Sequence, residues 1–324
     1  MSPSPSENLD AFPALAAHGL RGIQIGPRAV DEPPRVLLLH GFTGLAEDWL
    51  DCWPTTDTEP EADSQLEPPS VPEPVLETDP RSAPAPALAI DLPGHGGSVA
   101  PEGTFDESLQ RLLAALPASI ERVVGYSLGA RLALGLLRLA PQRLRTAIIL
   151  SAHPGLADPQ ARASRRAADR RWIERLEQPG LAAFVEAWEA LPLFATQASV
   201  PASRLARQRE RRLSQSATGL AASLSVHGLA EMPAMRETII QFPGALHWVT
   251  GAEDRKFSAL AREVGRWRPA LRLHSLPGVG HNPLLEAPEQ LRALFLGSGI
   301  TKAAAQAHPL PTRPPGAWDT SPSA

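Results

Sequence analysis

The stretch RVVGYSLGARLALGLL, residues 122–137, sets a serine between two glycines where a valine pair gives way to a leucine-rich run. Val123 and Val124 read as the end of a buried strand and the leucines as a helix, which puts Ser127 on the turn between them. Such a turn strains the serine backbone and exposes its hydroxyl above the sheet, and small residues two positions to either side let strand and helix approach. Gly125 and Gly129 meet that need. Ser127 is therefore a candidate reactive hydroxyl at the top of a sheet.

Working outward, short apolar runs at 36–40, 88–91, 146–151, 245–250 and 271–276 join 122–126 as candidate strands, bounded by turn residues and separated by helical patterns. Leu109, Leu112, Leu113 and Leu116 recur at i, i+3, i+4 and i+7, which predicts a helix with one apolar face. Alternation of this kind predicts an α/β domain over 16–298, its mostly parallel sheet flanked by helices through right-handed crossovers. Residues 154–235 break the rhythm: they are helical in pattern, rich in arginine and without a convincing strand, as a cap inserted between strands would be. Three proline-rich stretches, 1–15, 54–86 and 299–324, read as unpacked and disordered, because they carry too little apolar surface to offset the entropy of ordering.

The net charge of −4 is unevenly spread: nine acidic residues fall between 51 and 80, where there is no lysine or arginine, so the rest of the chain is net basic. Lys256 and Lys302 are the only lysines, and the remaining cations are arginines. No run approaches the roughly 18 apolar residues of a membrane span, and the N-terminus lacks the basic and apolar regions of a secretory signal. Cys52 stands alone, which excludes an internal disulfide or a cysteine metal site and fits a reducing compartment. The expectation is a cytoplasmic protein without a nucleic-acid partner; the oligomeric state is left open.

A serine hydroxyl is inert at neutral pH without a base, and the base needs a third group to fix its tautomer. Asp254 follows the predicted strand ending HWVTG, and His281 follows the one ending LRLHSL, so both fall at the sheet edge where open parallel sheets place their sites. Each has an ordinary reading as well, Asp254 as a helix cap and His281 as a loop hydrogen-bonder. Glu253 is the rival acid; the shorter Asp254 suits a tight turn better. The amide of Leu128, directly after the serine, and that of Phe42, in the HGFTG loop at 40–44, are the candidate oxyanion donors. His40 and His95 read as loop buttresses. Arg131, four residues past Ser127, shares its helix face, where a guanidinium favours an anionic substrate. Eleven further arginines lie in the predicted cap: Arg162, Arg165, Arg166, Arg170, Arg171, Arg175, Arg204, Arg207, Arg209, Arg211 and Arg212. Two or three are expected in the cleft, the others on a solvated face.

The order Ser, Asp, His is that of α/β hydrolases. With HGFTG, DLPGHGGS, GYSLGARLAL, HPGL before the DRRW run, EAWEALPLF, GAEDRKF and GVGHN, the chain resembles the 2-succinyl-6-hydroxy-2,4-cyclohexadiene-1-carboxylate (SHCHC) synthase, or MenH, family of menaquinone biosynthesis over most of 35–297. The resemblance implies an α/β-hydrolase fold, a triad of Ser127, Asp254 and His281, and a substrate pocket with Tyr126, Arg131, Arg165, Trp188 and Arg212. Departures are the acidic insertion, the long tail, Ala130 where glycine is frequent and Ser214 where a pocket asparagine is common. The implied chemistry is elimination of pyruvate from 2-succinyl-5-enolpyruvyl-6-hydroxy-3-cyclohexene-1-carboxylate, a small polycarboxylate, with Ser127 taking a proton rather than attacking a carbonyl and with no metal or organic cofactor. A carboxylesterase or carbon–carbon bond hydrolase would use the same triad, and an idle hydrolase fold serving as a binding module is the reading from outside enzymology.

Overall fold

A computed structural model of the chain describes residues 12–26, 32–54 and 85–298. Strands β1 (Gly22–Ile25), β2 (Val36–Leu39), β3 (Ala87–Ile90), β4 (Arg122–Tyr126), β5 (Thr146–Leu150), β6 (Ala245–Gly251) and β7 (Arg272–Leu276) form one sheet in the order β1-β3-β2-β4-β5-β6-β7. β1 runs antiparallel to β3, and every other neighbouring pair is parallel. All four residues of β2 and of β3 are buried. Both faces of the sheet are covered, so its strands read as continuous apolar runs rather than alternating ones.

On one face Leu37, Leu39, Val123, Ile149 and Trp248 pack against α2 (Phe105–Ala115), α3 (Leu128–Leu139), α8 (Arg236–Gln241) and α9 (Arg255–Trp267). On the other, Leu38, Val124, Ile148, Leu150 and Val249 meet Trp49, Trp53, and Leu291 and Phe295 of α11 (Pro288–Ser298). Successive strand residues alternate between the two cores, as the pleat requires. The apolar face predicted from Leu109 and Leu112 belongs to α2, whose start is fixed by a capping box between Thr104 and Glu107.

Between β5 and β6 the chain forms α4 (Pro159–Glu177), α5 (Leu181–Glu189), a 3-10 stretch Pro192–Ser199, α6 (Ala202–Leu213) and α7 (Ala217–His227), and these elements bury a small core of their own around Leu176, Phe184, Val185 and Leu220. Among the described residues no helix is long and apolar enough to cross a membrane. Cys52 is buried, and burial pushes its thiol pKa well up, so it is held as the unreactive thiol.

Three boundaries differ from the sequence reading. β1 escaped it, because its GIQI is broken by Gln24 and lacks the continuous apolar run that marks the equally short β2 and β3. The N-terminal stretch assigned to 1–15 ends earlier: α1 (Pro13–Ala17) buries Leu15 beside Leu20 in the main core. At the far end of the 54–86 stretch Ala85 is buried and the Pro86 carbonyl accepts the Arg35 amide at 3.0 Å, continuing the β2–β3 ladder. The remainder of those two stretches, 1–11 and 55–84, and the whole of 299–324 lie outside the described residues.

Strand order fixes where a site can form. β2 has β3 on one side and β4 on the other, so the chain reverses its winding direction between β2 and β4. The loops leaving their C-terminal ends diverge and open a crevice there. Phe42 leaves β2 and Ser127 leaves β4, so both reach that crevice.

Candidate active site

Ser127 joins β4 to α3 at φ 52° and ψ −104°, a left-handed conformation that a side-chain-bearing residue adopts at a cost. The flanking glycines are required by contact: a Cβ on Gly125 would lie 2.5 Å from the Gly129 carbonyl oxygen, and one on Gly129 would lie 2.2 Å from that of Leu39. The Gly129 amide donates to His40 O at 3.0 Å, tying the helix start to the loop after β2.

Asp254 does two things at once. As the residue before α9 its Oδ1 accepts the Phe257 amide at 3.2 Å, the cap foreseen for it, while its Oδ2 accepts Nδ1–H of His281 at 2.7 Å. An ionised carboxylate can only accept, so the His281 proton is on Nδ1 and Nε2 is free to receive the Ser127 hydroxyl, 3.2 Å away. Glu253 is exposed at the cleft, and its carboxylate makes no bond to His281. His281 is buried against Phe257, whose ring centroid lies 4.4 Å from its own, and Tyr126, at 5.8 Å. The loop carrying it is held by Glu286 of α10 (Pro283–Glu286), whose two carboxylate oxygens accept the amides on either side, Gly280 at 2.6 Å and Asn282 at 3.0 Å.

The 40–44 loop is braced by both histidines expected there. His40 accepts the Leu92 amide on Nε2 at 2.9 Å and donates from Nδ1 to Gly41 O at 2.7 Å; His95 accepts the Thr43 amide on Nε2 at 3.3 Å. Burial lowers the pKa of each, which keeps the ring neutral and able to accept.

Ser127, His281, Phe42 and Leu128 open into a cleft of about 690 Å³ between the sheet edge and the cap, and Tyr126, Arg131, Arg165, Trp188 and Arg212 also line it. Arg131 donates to the carbonyl of His227, the last residue of α7, at 2.6 Å; burial, followed by the neighbouring Arg165, pushes its pKa down to about 9, which leaves it charged at neutral pH. Arg165 pairs with Asp169 at 2.8 Å. Arg212 is buried, bound to Glu189 at 3.0 Å and to the Thr43 hydroxyl at 3.3 Å, with Phe194 beneath its guanidinium. Trp188 stacks on Phe184 and meets Phe42 edge-on, and its buried indole N–H has no protein partner among the described residues. Burial raises the Tyr126 phenol pKa well above its usual value, so its hydroxyl stays protonated.

The alpha/beta hydrolase family profile matches residues 36–294. The chain is 32% identical over 259 residues to the SHCHC synthase of Salmonella paratyphi C (strain RKS4594), covering 79% of this chain and 89% of that protein. It is 36% identical over 205 residues to the SHCHC synthase of Salmonella agona (strain SL483), covering 62% of this chain and 78% of that protein. The chain belongs to the SHCHC synthase family of α/β hydrolases. A solved structure of MenH from S. aureus superposes with a TM-score of 0.70 at 23% identity, covering 86% of this chain and 97% of that one, which attests the shared fold.

In this SHCHC synthase family member the cap sends more arginines to the cleft than the two or three expected. Arg165, Arg204, Arg207, Arg211 and Arg212 all line it, whereas Ser214 does not. The reason is geometric: Arg204, Arg207, Gln208, Arg211 and Arg212 are spaced i, i+3, i+4, i+7 and i+8 and form one face of α6, turned inward. That spacing is present in the sequence, but a polar stripe is normally the solvent side of a helix, and only packing tells which way it faces. Besides Arg212, two more α6 arginines are tied to protein groups, Arg204 to Leu285 O at 3.1 Å and Arg211 to Asp48 at 2.8 Å. His153 and Lys256, in motifs that carry the family likeness, line the cleft too, and sequence reasoning assigned neither a role.

Proposed function

We propose that this protein is a carbon–oxygen lyase of menaquinone biosynthesis that eliminates pyruvate from 2-succinyl-5-enolpyruvyl-6-hydroxy-3-cyclohexene-1-carboxylate to give SHCHC. One observation carries the reading beyond family membership: the serine, imidazole and carboxylate chain opens into the same cleft as the Arg131, Arg165 and Arg212 guanidiniums. A polycarboxylate would be held there by charge-assisted hydrogen bonds while its reacting carbon meets Oγ.

His281 Nε2 takes the Ser127 hydroxyl proton, and Oγ takes the proton on ring carbon 2, which is acidified by the adjacent succinyl ketone. The electron pair enters the 2,3 bond, the 3,4 double bond moves to 4,5, and the bond from carbon 5 to the enolpyruvyl oxygen breaks. Enolpyruvate leaves as its enolate and takes the proton held on His281 to become pyruvate, which returns the imidazole to its neutral form. The developing enolate oxygen would be stabilised by the amides of Phe42 and Leu128. Asp254 holds the imidazole in the accepting tautomer and stabilises its charged form. Tyr126 and Trp188 supply neutral donors and an aromatic wall for the ring. We place the reaction in the cytoplasm.

The test is direct: purified protein is mixed with the enolpyruvyl substrate and pyruvate is followed by a coupled dehydrogenase. Release of stoichiometric pyruvate is expected; folded protein that releases none overturns the reading. Acyl transfer would instead leave a covalent acyl-serine and a burst of leaving group with an activated ester, detectable by intact-mass measurement.

A further inference from the structure

His153 follows β5 at the C-terminal edge of the sheet, half-buried in the cleft wall. Its Nδ1 accepts the Gly155 amide at 3.1 Å, so the proton of the neutral ring is on Nε2, and that N–H has no protein acceptor among the described residues. Burial, then the charges of Lys256, Arg131 and Arg165, which line the same cleft, drive its pKa down to about 4, so at neutral pH it is an uncharged donor. Two of those cations are anchored, Arg131 on His227 O and Arg165 on Asp169. Lys256 has no carboxylate partner among the described residues; its ammonium rests 5.5 Å from the centroid of the Phe257 ring, which in turn packs on His281.

Lys256 also sits in the first turn of α9, which carries no acidic residue after its N-cap Asp254, and that carboxylate is already bonded to the Phe257 amide and to His281. The first turn is the positive end of the helix dipole, where a cation is disfavoured. A sequence that otherwise uses arginine for nearly every positive charge thus keeps a lysine at a position costly to the helix and adjacent to the triad aspartate. Local conflict of this kind is expected where a residue serves a site rather than the helix that carries it.

We infer that Lys256 and His153 form a carboxylate contact additional to the three arginines, holding one carboxylate of the substrate between an ammonium and an imidazole N–H. An anion there satisfies Nε2–H and offsets the mutual repulsion of Lys256, Arg131 and Arg165. The identity of that anion as substrate rests on the lyase reading above; the existence of the subsite does not.

The experiment separates the two. Full-length wild type, Lys256→Met, Lys256→Arg, His153→Leu and His153→Gln are titrated with succinate, a plain dicarboxylate, by calorimetry, and the same proteins are assayed for pyruvate release. Lys256→Met and His153→Leu are expected to weaken succinate by about tenfold and to raise KM by about as much, with kcat within about twofold. Lys256→Arg keeps the charge and His153→Gln keeps an N–H near the Nε2 position, so each recovers most of the loss. Lys256 is solvent-exposed, so its replacement spares the fold, and His153→Leu is an independent comparison. Wild-type affinity and KM in a folded Lys256→Met protein, or the lack of saturable succinate binding by the wild type, overturns the subsite. If the wild type binds succinate but releases no pyruvate, the lyase reading fails while the subsite is still decided by the titration.

Discussion

Ser127 is held at a positive φ, at a cost of about 1–3 kcal/mol that the surrounding strand and helix must offset. Replacing it with alanine removes the hydroxyl and leaves that backbone as it is. Ser127→Ala is therefore expected to melt within a few degrees of the wild type while pyruvate release falls by about a thousandfold, read by parallel thermal melts and coupled assays. Glu286 acts one step further out, since its carboxylate holds the amides on both sides of His281. Glu286→Ala should lower kcat by about tenfold and leave KM within about twofold, because it loosens the imidazole and spares the anion contacts; Glu253→Ala, away from the bond, should change neither. Among the arginines, Arg131→Ala or Arg165→Ala should reduce kcat/KM by about ten- to a hundredfold. Arg166 is exposed and paired with Glu231 at 2.7 Å, so Arg166→Ala should fall within about twofold; equal losses at all three would contradict a specific carboxylate clamp. The chemistry-bearing residues at this scale were legible because hydroxyl, imidazole and carboxylate each follow a recognisable strand. Arg207, Lys256 and His153 were not, because an isolated cation or histidine in a sequence has no marker for which cavity it faces.

The strand–turn–helix unit around Ser127 tolerates no side chain at its crossing point. A methyl group on Gly129 would have to displace the Leu39 and His40 carbonyls, where β2 runs into the 40–44 loop. Gly129→Ala is expected to destabilise the fold by about 3 kcal/mol, measured as a lower urea midpoint at unchanged slope. Helices read best where one face alone is apolar: α2 was visible from four leucines. α6 shows the converse, since its arginine face lines a cleft and so imitates a solvent face. β1, interrupted by Gln24, was invisible where the equally short but wholly apolar β2 and β3 were not, and it pairs along one edge of β3. Leu15 was missed because a single buried leucine beside a proline-rich terminus carries no period of its own.

Across the molecule, burial keeps several imidazoles neutral. His227, bonded to Ser108 at 2.9 Å, has its pKa lowered to about 3, and His247, bonded to His274 at 3.1 Å, to about 4, in both cases chiefly by desolvation. Unfolding returns each to about 6.5, so below that pH the unfolded chain takes up protons that the folded one refuses. Their contribution is complete above pH 6.5 and is lost as the pH falls toward 4, by about 2 kcal/mol for each ring at pH 5. Urea unfolding at pH 7.5, 6 and 5 should follow that decline, and a flat profile would mean that these rings are already charged in the folded protein. The cleft itself belongs to this scale, because Phe42 and Ser127 come from strands that are neighbours only through the reversal in strand order. The sequence by itself determined the α/β class, the strained serine, and the acid and base that follow later strands, since each is written in local period and turn chemistry. Only the tertiary structure decided that Asp254 rather than Glu253 meets His281, that five cap arginines rather than two or three line the cleft, and that Lys256, Arg131, Arg165 and His153 line it together. Those are distances between residues far apart in the chain, and local patterns fix the direction of a side chain without fixing what it will face.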